Sequence, residues 1–216
     1  MGKIILIGHS HLANLLEYRR NYVVGSGDED WSDVAAFEAF AVGGLRLDHL
    51  TGPVRQDWHP SKQTIPDDFH RFLNDHASPG DSVVFFLGDN DLNIDNDTFA
   101  PKYLAFVTLI RKKFHLRSAV VCPLLPHHVG ARGDILAYNF RARKVNEFIK
   151  SSCASYEKLF YNGSASFPFP GSDRNGKSQA YVASAQSFQR DGVHLTIYGQ
   201  SKLFRSILNV FKKEVK

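Results

Sequence analysis

The chain has 216 residues, of which 43% are hydrophobic and 22% charged, and its formal net charge is +4. This composition excludes a disordered or fibrous chain, and the length suits one α/β domain that spans residues 1–216. The basic residues are scattered, so the charge by itself does not indicate a nucleic-acid-binding protein.

Membrane and metal-binding signals are weak in this sequence. No apolar run is long enough to cross a bilayer, and no signal peptide precedes the first apolar segment, so we expect an intracellular, cytoplasmic protein. Cys122 and Cys153 lie too far apart to suggest a disulfide framework or a zinc site. We therefore expect two buried free thiols and neither a metal nor a cofactor.

In chain order, short apolar runs alternate with segments whose hydrophobic residues recur at helical spacing. The apolar runs predict strands at 3–8, 37–42, 81–88, 118–125 and 157–162, and the runs 3–8 and 81–88 are typical of buried strands. The other segments predict helices at 11–23, 65–77, 98–114, 134–153 and 196–215. In the fourth of these helices, the spacing lets five hydrophobic residues share one face: Leu136, Phe140, Val145, Phe148 and Ile149.

Strands that are separated by helices predict a parallel sheet covered on both faces. Ligands bind such sheets beyond the carboxyl ends of the strands. The segments that follow the first four strands, GHS, GG, GDND and PLLPHH, are therefore expected to meet at one edge. The polar segment 162–188 is rich in Gly, Pro and Ser, and is either a loop that shapes a substrate pocket or a surface excursion.

Ser10 follows the first strand and begins the first helix, where free backbone N–H groups favour negative charge. Serine at this position is also a common helix cap, so a nucleophilic role requires a base. The segment RDGVHLTIYG offers one, because Asp191 and His194 are three residues apart and a turn could place the carboxylate against one imidazole nitrogen. The alternative is that Asp191 only forms a turn and that His194 only packs.

A hydrolytic site also needs hydrogen-bond donors for the oxyanion of a tetrahedral intermediate. Asn90 follows the third strand and offers a side-chain amide, while Gly44 follows the second strand and offers a backbone N–H with no side chain to block it. Each residue alone is a common turn residue. Their position at successive strand ends, together with the N–H of Ser10, favours a catalytic site with three donors.

The four segments resemble the sequence blocks of the SGNH (GDSL-type) hydrolase superfamily. IGHS is similar to the block with the serine, VGGLRLDHL to the block with the glycine, LGDND to the Gly-x-Asn-Asp block and RDGVHLTIYG to the Asp-x-x-His block. The resemblance implies a flavodoxin-like three-layer α/β/α sandwich with a five-stranded parallel sheet. It also implies a serine esterase that hydrolyses acyl or acetyl esters, with Ser10 as nucleophile, His194 as base and Asp191 as the acid that orients it. The oxyanion hole would consist of Ser10, Gly44 and Asn90.

One departure from the family pattern is His9, which stands where the family usually has aspartate. That aspartate is not the acid of the triad, but a histidine changes the charge and the hydrogen bonding next to the nucleophile. His11, His127 and His128 also fall near the predicted sheet edge. Surface or pocket-lining positions account for these histidines better than a zinc site does.

The runs AVVCPLLPHH and RDGVHLTIYGQSKLFRSI also resemble SGNH-type esterase domains of animal genomes, including those in the first open reading frame of some LINE retrotransposons. This resemblance implies an association with nucleic acid only through segments outside this chain. The partner expected for the chain itself is a small acyl ester, a lipid or an acetylated substrate, and no membrane span is expected.

Two alternatives stand beside the SGNH esterase. A protein of the α/β-hydrolase class would carry a second glycine two residues after the serine, where this chain has Leu12. A non-catalytic or weakly active binding module with the SGNH fold would hold an acyl, lipid or nucleic-acid-associated partner. Such a module would not need a nucleophile, a base, an orienting acid and oxyanion donors together.

Overall fold

Five short apolar runs form one β-sheet in the computed structural model, which describes residues 2–18, 20–21, 37–92, 96–128, 131, 133–163 and 186–214. In chain order the strands are β1 (Ile4–Gly8), β2 (Phe37–Ala41), β3 (Ser82–Phe86), β4 (Ser118–Val121) and β5 (Leu159–Tyr161). They pair in the order β2-β1-β3-β4-β5, and every pair is parallel. The predicted five-stranded parallel sheet is confirmed.

Helices cover both faces of this sheet. Within the described residues they are α1 (Ser10–Tyr18), α2 (Asp48–Thr51), α3 (Ile65–His76), α4 (Asn96–Lys113), α5 (Ile135–Cys153) and α6 (Ile197–Glu214), with a short 3-10 helix at Pro60–Lys62. Residues 19, 22 and 23 of the helix predicted at 11–23 and most of the segment 162–188 lie outside the described residues. None of the described helices combines the length and apolar character that crossing a membrane requires.

Alternate strand residues face opposite layers, as the two-residue period of a strand requires. Ile5 and Val83 pack in the core that α3, α4 and α5 share, whereas Leu6 and Val84 pack in the core shared by α1 and α6. The result is the expected three-layer α/β/α sandwich with flavodoxin-like strand order. The two cysteines are buried free thiols, also as expected.

The predicted hydrophobic face of α5 is partly wrong. Leu136 is 72% exposed and Phe140 is 50% exposed, and Phe148 is exposed as well. The buried face instead carries Asn139 and Asn146. Asn146 bonds both the N–H and the C=O of Leu124 at 2.9 Å, and Asn139 does the same at His127 at 2.7 and 2.8 Å. These buried asparagines provide hydrogen-bond partners for backbone groups of the loop after β4. Hydrophobic periodicity does not reveal that such backbone groups need partners.

The position of β1 creates a crevice at the carboxyl edge of the sheet. The chain passes from β1 to β2 on one side and then crosses to β3 on the other, so the strand order reverses at β1. Loops at such a point diverge, and ligands of open α/β sheets bind between them. Ser10 lies two residues after the end of β1, and residues 88–91 begin two residues after the end of β3.

Asp91 joins the loop after β3 to the loop after β2. Its Oδ1 accepts a hydrogen bond from the N–H of Leu47 at 2.9 Å, and the residue is 6% exposed. Its Oδ2 is buried without a partner among the described residues. Burial disfavours the charged form and raises the pKa of Asp91 to about 7.

We predict that Asp91→Asn changes the pH dependence of stability. An aspartate with a raised pKa stabilises the fold fully below the pKa of the unfolded chain, near 3.9, and this stabilisation is lost as the pH rises through about 7. The neutral amide of the variant keeps an acceptor for Leu47 and does not titrate. The free energy of unfolding of the native protein, relative to the variant, should therefore fall by roughly 2–4 kcal/mol between pH 4 and pH 8.

Urea unfolding at the two pH values measures this change. Asp75→Asn, at an exposed position on α3, is the matched control and should show little pH-dependent difference. An equal stability difference between Asp91→Asn and the native protein at both pH values would show that Asp91 does not titrate in this way.

Candidate active site

The turn between β1 and α1 presents Ser10 without using its hydroxyl group as a helix cap. The C=O of His9 accepts hydrogen bonds from the N–H groups of Leu12 and Ala13, at 3.0 and 3.3 Å. The Nδ1 atom of His9 lies 3.5 Å from the N–H of His11 and takes the acceptor role that a capping side chain usually has. The capping role therefore belongs to His9, and the hydroxyl group of Ser10 is directed to another partner.

That partner is His194, which lies 184 positions later in the chain. The Nε2 atom of His194 is 3.1 Å from Ser10 Oγ, and its Nδ1 atom is 2.5 Å from Asp191 Oδ2. Because an ionised carboxylate only accepts hydrogen bonds, Nδ1 carries the proton and Nε2 is the acceptor for the hydroxyl group. The three residues form one hydrogen-bonded chain from alcohol to carboxylate, which is the arrangement that the sequence predicted.

The carboxylate of Asp191 is held by its own turn. Its Oδ1 accepts hydrogen bonds from the N–H groups of Val193 and His194, at 3.0 and 2.9 Å. Partial burial raises the pKa of Asp191, but the hydrogen bonds from the His194 ring and from these two backbone groups outweigh it and lower the pKa to about 2. Asp191 is therefore ionised at neutral pH and keeps the imidazole in one orientation.

Gly192 allows the same turn to pack against the loop after β4. Its φ is +66°, and its C=O accepts a hydrogen bond from the N–H of His128 at 2.6 Å. A Cβ at this position would lie 2.3 Å from the carbonyl oxygen of His128 and 2.6 Å from the nitrogen of Ala131. Only glycine satisfies both the backbone angle and the space, so the glycine between Asp191 and His194 fixes where the base lies.

The loops with Gly44 and Asn90 contact each other. Gly44 has a φ of +67°, the left-handed region that favours glycine. The side-chain nitrogen of Asn90 donates to the C=O of Leu45 at 3.1 Å, and a primary amide has a second hydrogen to donate. The structure therefore places the predicted amide beside the predicted glycine loop. That the N–H of Gly44 and the amide of Asn90 donate to the same oxyanion stays a prediction.

A buried cluster around Asp89 is the part of the site that the sequence analysis missed. Asp89 Oδ2 lies 3.0 Å from His9 Nε2 and 3.5 Å from His11 Nε2, and Oδ1 accepts the hydroxyl group of Tyr138 at 3.0 Å. The two histidines flank Ser10, so one carboxylate from the β3 loop anchors both neighbours of the serine. Two signals of this cluster are present in the sequence. One is the acidic residue Asp89 in the segment GDND after the third strand, and the other is the serine after the first strand, which has a histidine on each side.

Electrostatics in this cluster favour a charged Asp89 and a neutral His11. Burial alone raises the pKa of Asp89, but the adjacent His9, which also donates a hydrogen bond, lowers it well below the ordinary range. Burial and the nearby His9 lower the pKa of His11 to about 3. His11 therefore contributes a neutral hydrogen-bond donor beside the charged Asp89.

The cluster has the atoms that a metal ion requires, but its hydrogen bonds suit a metal-free state. Ligand atoms of His9, His11 and Asp89 all lie within 4.8 Å of one another. The Nδ1 atom of His9 faces a backbone N–H, so its proton resides on Nε2, where a metal would have to bind. The Nδ1 atom of His11 is buried without a partner among the described residues, whereas metal-binding histidines donate their second N–H to a partner. The expected absence of a metal stays a prediction.

The histidines after β4 have packing contacts. The ring of His127 stacks on Tyr138 with centroids 3.5 Å apart and an interplanar angle of 6°. The ring of His128 stacks on Phe188 with centroids 5.8 Å apart. Both rings therefore pack against aromatic side chains, and neither belongs to the His9, His11 and Asp89 group.

Comparison with known proteins identifies the fold. The sequence matches no protein-family model, and no curated protein is significantly similar to it. Solved structures are similar over almost the whole chain. A GDSL-like lipase from Bacteroides thetaiotaomicron has a TM-score of 0.62 at 14% identity, covering 98% of this chain and 88% of that one. An extracellular lipase from Streptomyces rimosus has a TM-score of 0.54 at 15% identity, covering 97% and 99%.

An acetylxylan esterase from Geobacillus stearothermophilus is also similar, with a TM-score of 0.51 at 12% identity and coverage of 99% and 95%. The chain therefore has the fold of the SGNH (GDSL-type) hydrolases, as the resemblance in the sequence implied.

We predict that the Asp89 cluster supports the stability of the fold. Asp89→Ala leaves His9, His11 and Tyr138 without their shared acceptor, and breaking such a buried group should lower the free energy of unfolding by roughly 3 kcal/mol. Asp57→Ala is the matched control, because Asp57 pairs with Arg55 at the exposed surface and its loss should change the stability much less. Denaturant unfolding measures both, and equal losses would contradict the role of Asp89.

Proposed function

We propose that the protein is a serine esterase that hydrolyses carboxylic esters through an acyl-enzyme on Ser10. The observation that carries this proposal is the hydrogen-bonded chain from Ser10 Oγ through His194 to Asp191. The fold supports it, because lipases and an acetylxylan esterase share the same architecture. The binding-module alternative does not explain why the serine hydroxyl group meets an imidazole that a carboxylate orients.

In the first half of the reaction, Ser10 Oγ attacks the carbonyl carbon of the ester while His194 Nε2 takes its proton. A bond forms between Oγ and the carbon, and the ionised Asp191 stabilises the imidazolium. The bond from the carbon to the alcohol oxygen then breaks, and His194 gives the proton to that oxygen. In the second half, His194 deprotonates a water molecule that attacks the acyl-enzyme, and Ser10 regains its proton as the acid leaves.

The oxyanion of both tetrahedral intermediates needs donors that are already in position. Ser10 is the first residue of α1, so its backbone N–H is one that the helix itself does not use. The N–H of Gly44 and the second amide hydrogen of Asn90 complete the proposed set. The contact between Asn90 and the C=O of Leu45 supports this assignment, because it holds the amide against the glycine loop.

We predict that Ser10 is labelled by a fluorophosphonate and that His194→Ala removes most turnover. Loss of the base should lower kcat for 4-nitrophenyl acetate by at least about a thousandfold, while circular dichroism shows an intact fold. Ser151→Ala, at an exposed serine on α5, is the control for labelling and should react like the native protein. An active protein whose Ser10 stays unlabelled, or a His194→Ala variant within a few-fold of native activity, would refute the mechanism.

We also predict that Asn90→Ala lowers kcat on the order of 10²–10³-fold, because it removes one donor to the oxyanion. The variant loses the contact with Leu45 as well, so its melting temperature must be measured in parallel. Full activity in a stably folded variant would exclude Asn90 from the oxyanion hole.

A further inference from the structure

A tight turn carries the glycine that we assign to the oxyanion hole. The N–H of Leu45 donates to the C=O of Val42 at 3.1 Å, which closes a turn around Gly43 and Gly44. Gly44 has a φ of +67°, whereas Gly43 does not belong to the described glycines with a positive φ. A positive φ at the third residue alone is the pattern of a type II turn.

The central peptide of this turn, which joins Gly43 to Gly44, can take two orientations. Type I and type II turns differ by a half rotation of that peptide, which leaves the ends of the turn in place. Glycine accepts both signs of φ about equally, so the two glycines themselves select neither orientation. The N–H of Gly44 points to opposite sides of the turn in the two orientations, and only one of them lets it donate to an oxyanion. Another contact therefore has to hold this peptide.

Lys62 makes that contact from outside the turn. Its Nζ atom donates a hydrogen bond to the C=O of Gly43. That C=O and the N–H of Gly44 belong to the same peptide group, so a rotation of the peptide would turn the carbonyl away from Lys62. A Cβ on Gly44 would lie 3.8 Å from the same Nζ atom, so the amine lies against this peptide.

The charge of Lys62 makes the contact effective. Partial burial lowers the pKa of Lys62, which indicates that the ammonium gives up part of its hydration here. A hydrogen bond from a charged donor is stronger than one from a neutral donor, so the carbonyl is held firmly. Donation to the carbonyl also polarises the peptide, and the N–H of Gly44 becomes a better donor at the other end.

The segment that carries Lys62 is itself anchored. Lys62 ends the 3-10 helix Pro60–Lys62, and this helix follows Trp58 closely in the chain. Trp58 is 6% exposed, and its ring meets the buried ring of His49 edge-on, with centroids 4.7 Å apart. His49 belongs to α2, the helix that follows the glycine turn. The lysine therefore reaches the turn from a fixed position.

We propose that Lys62 is a positioning residue of the active site, which holds the Gly43–Gly44 peptide so that the N–H of Gly44 faces the oxyanion. This role rests on the esterase proposed above, in which Gly44 supplies one of the three donors. Lys62 acts through the peptide and touches no reacting atom. Because the oxyanion exists only in the tetrahedral intermediates, loss of the hold lowers kcat and leaves KM unchanged.

Lys62→Met tests this role, because the new side chain has a similar length and no donor. We expect kcat for 4-nitrophenyl acetate to fall about tenfold at unchanged KM, which is less than the loss of a whole oxyanion donor. The amide ¹⁵N resonance of Gly44 in the NMR spectrum should also move, because it responds to a hydrogen bond at the carbonyl of its own peptide. Lys62→Arg keeps a cationic donor and should recover most of kcat together with the native resonance.

Lys3→Met is the matched control. Lys3 also donates from Nζ to a backbone carbonyl, that of His76 at 2.6 Å. It precedes β1, however, and so lies at the opposite end of the sheet from Ser10. Urea unfolding of both methionine variants measures how much each lysine contributes to stability. The control should leave kcat and the Gly44 resonance unchanged, whatever its effect on stability.

Three results would overturn the role of Lys62. One is a native kcat or an unmoved Gly44 resonance in folded Lys62→Met protein, and another is a raised KM at unchanged kcat. The third is a Lys62→Arg variant that recovers only one of the two, kcat or the resonance. The resonance is measured without substrate, so it separates this failure from failure of the esterase. If it moves in Lys62→Met while the native protein hydrolyses no ester, the hold on the peptide is supported and the esterase is overturned.

Discussion

The hydrogen bond between Ser10 Oγ and His194 Nε2 is the interaction on which the proposed chemistry depends, and the whole fold contributes to it. The buried strand β1 ends at the turn that presents the serine, because His9 caps the helix and leaves the hydroxyl group for another partner. At the far end of the chain, the close contact of Gly192 with the loop after β4 fixes the position of the imidazole. A displacement of either turn by about 1 Å would break the alignment that nucleophilic catalysis requires.

Three aspartates at the sheet edge differ in pKa because their surroundings differ. Asp191 is ionised, with its pKa lowered to about 2, because the imidazole and two backbone N–H groups hold it. Asp89 is partly buried and charged, because two histidines and Tyr138 surround its oxygens. Asp91 is only two residues from Asp89, but burial raises its pKa to about 7, because Oδ1 receives a single backbone donor and Oδ2 has no partner among the described residues.

Much of this arrangement could be predicted from the sequence, because buried strands read as apolar runs and parallel strands deliver their following residues to one edge. The sequence grouped Ser10, Asp191 and His194 in this way, and hydrogen bonds join the three side chains in the structure, whereas their catalytic roles stay a prediction. The Asp89 cluster was missed because its contact with His9 depends on β1 and β3 being neighbours, which spacing along the chain does not reveal. The prediction of the buried face of α5 was partly wrong, because periodicity takes only hydrophobic residues into account. Two asparagines lie on the buried side instead, where they accept hydrogen bonds from backbone groups of the loop after β4.

The central claim is that Ser10 carries the acyl group during turnover. The most direct measurement is peptide mass spectrometry of protein that is mixed with excess 4-nitrophenyl acetate and quenched in acid within the first turnovers. The account predicts an added acetyl group on the peptide that contains Ser10, and the acetylated fraction of this peptide should rise with the concentration of 4-nitrophenyl acetate. The Asp191→Asn/His194→Ala double variant should show no acetylated peptide. The claim would be contradicted if nitrophenol were released while Ser10 stayed unmodified. It would also be contradicted if an acetyl group appeared on another residue in proportion to turnover.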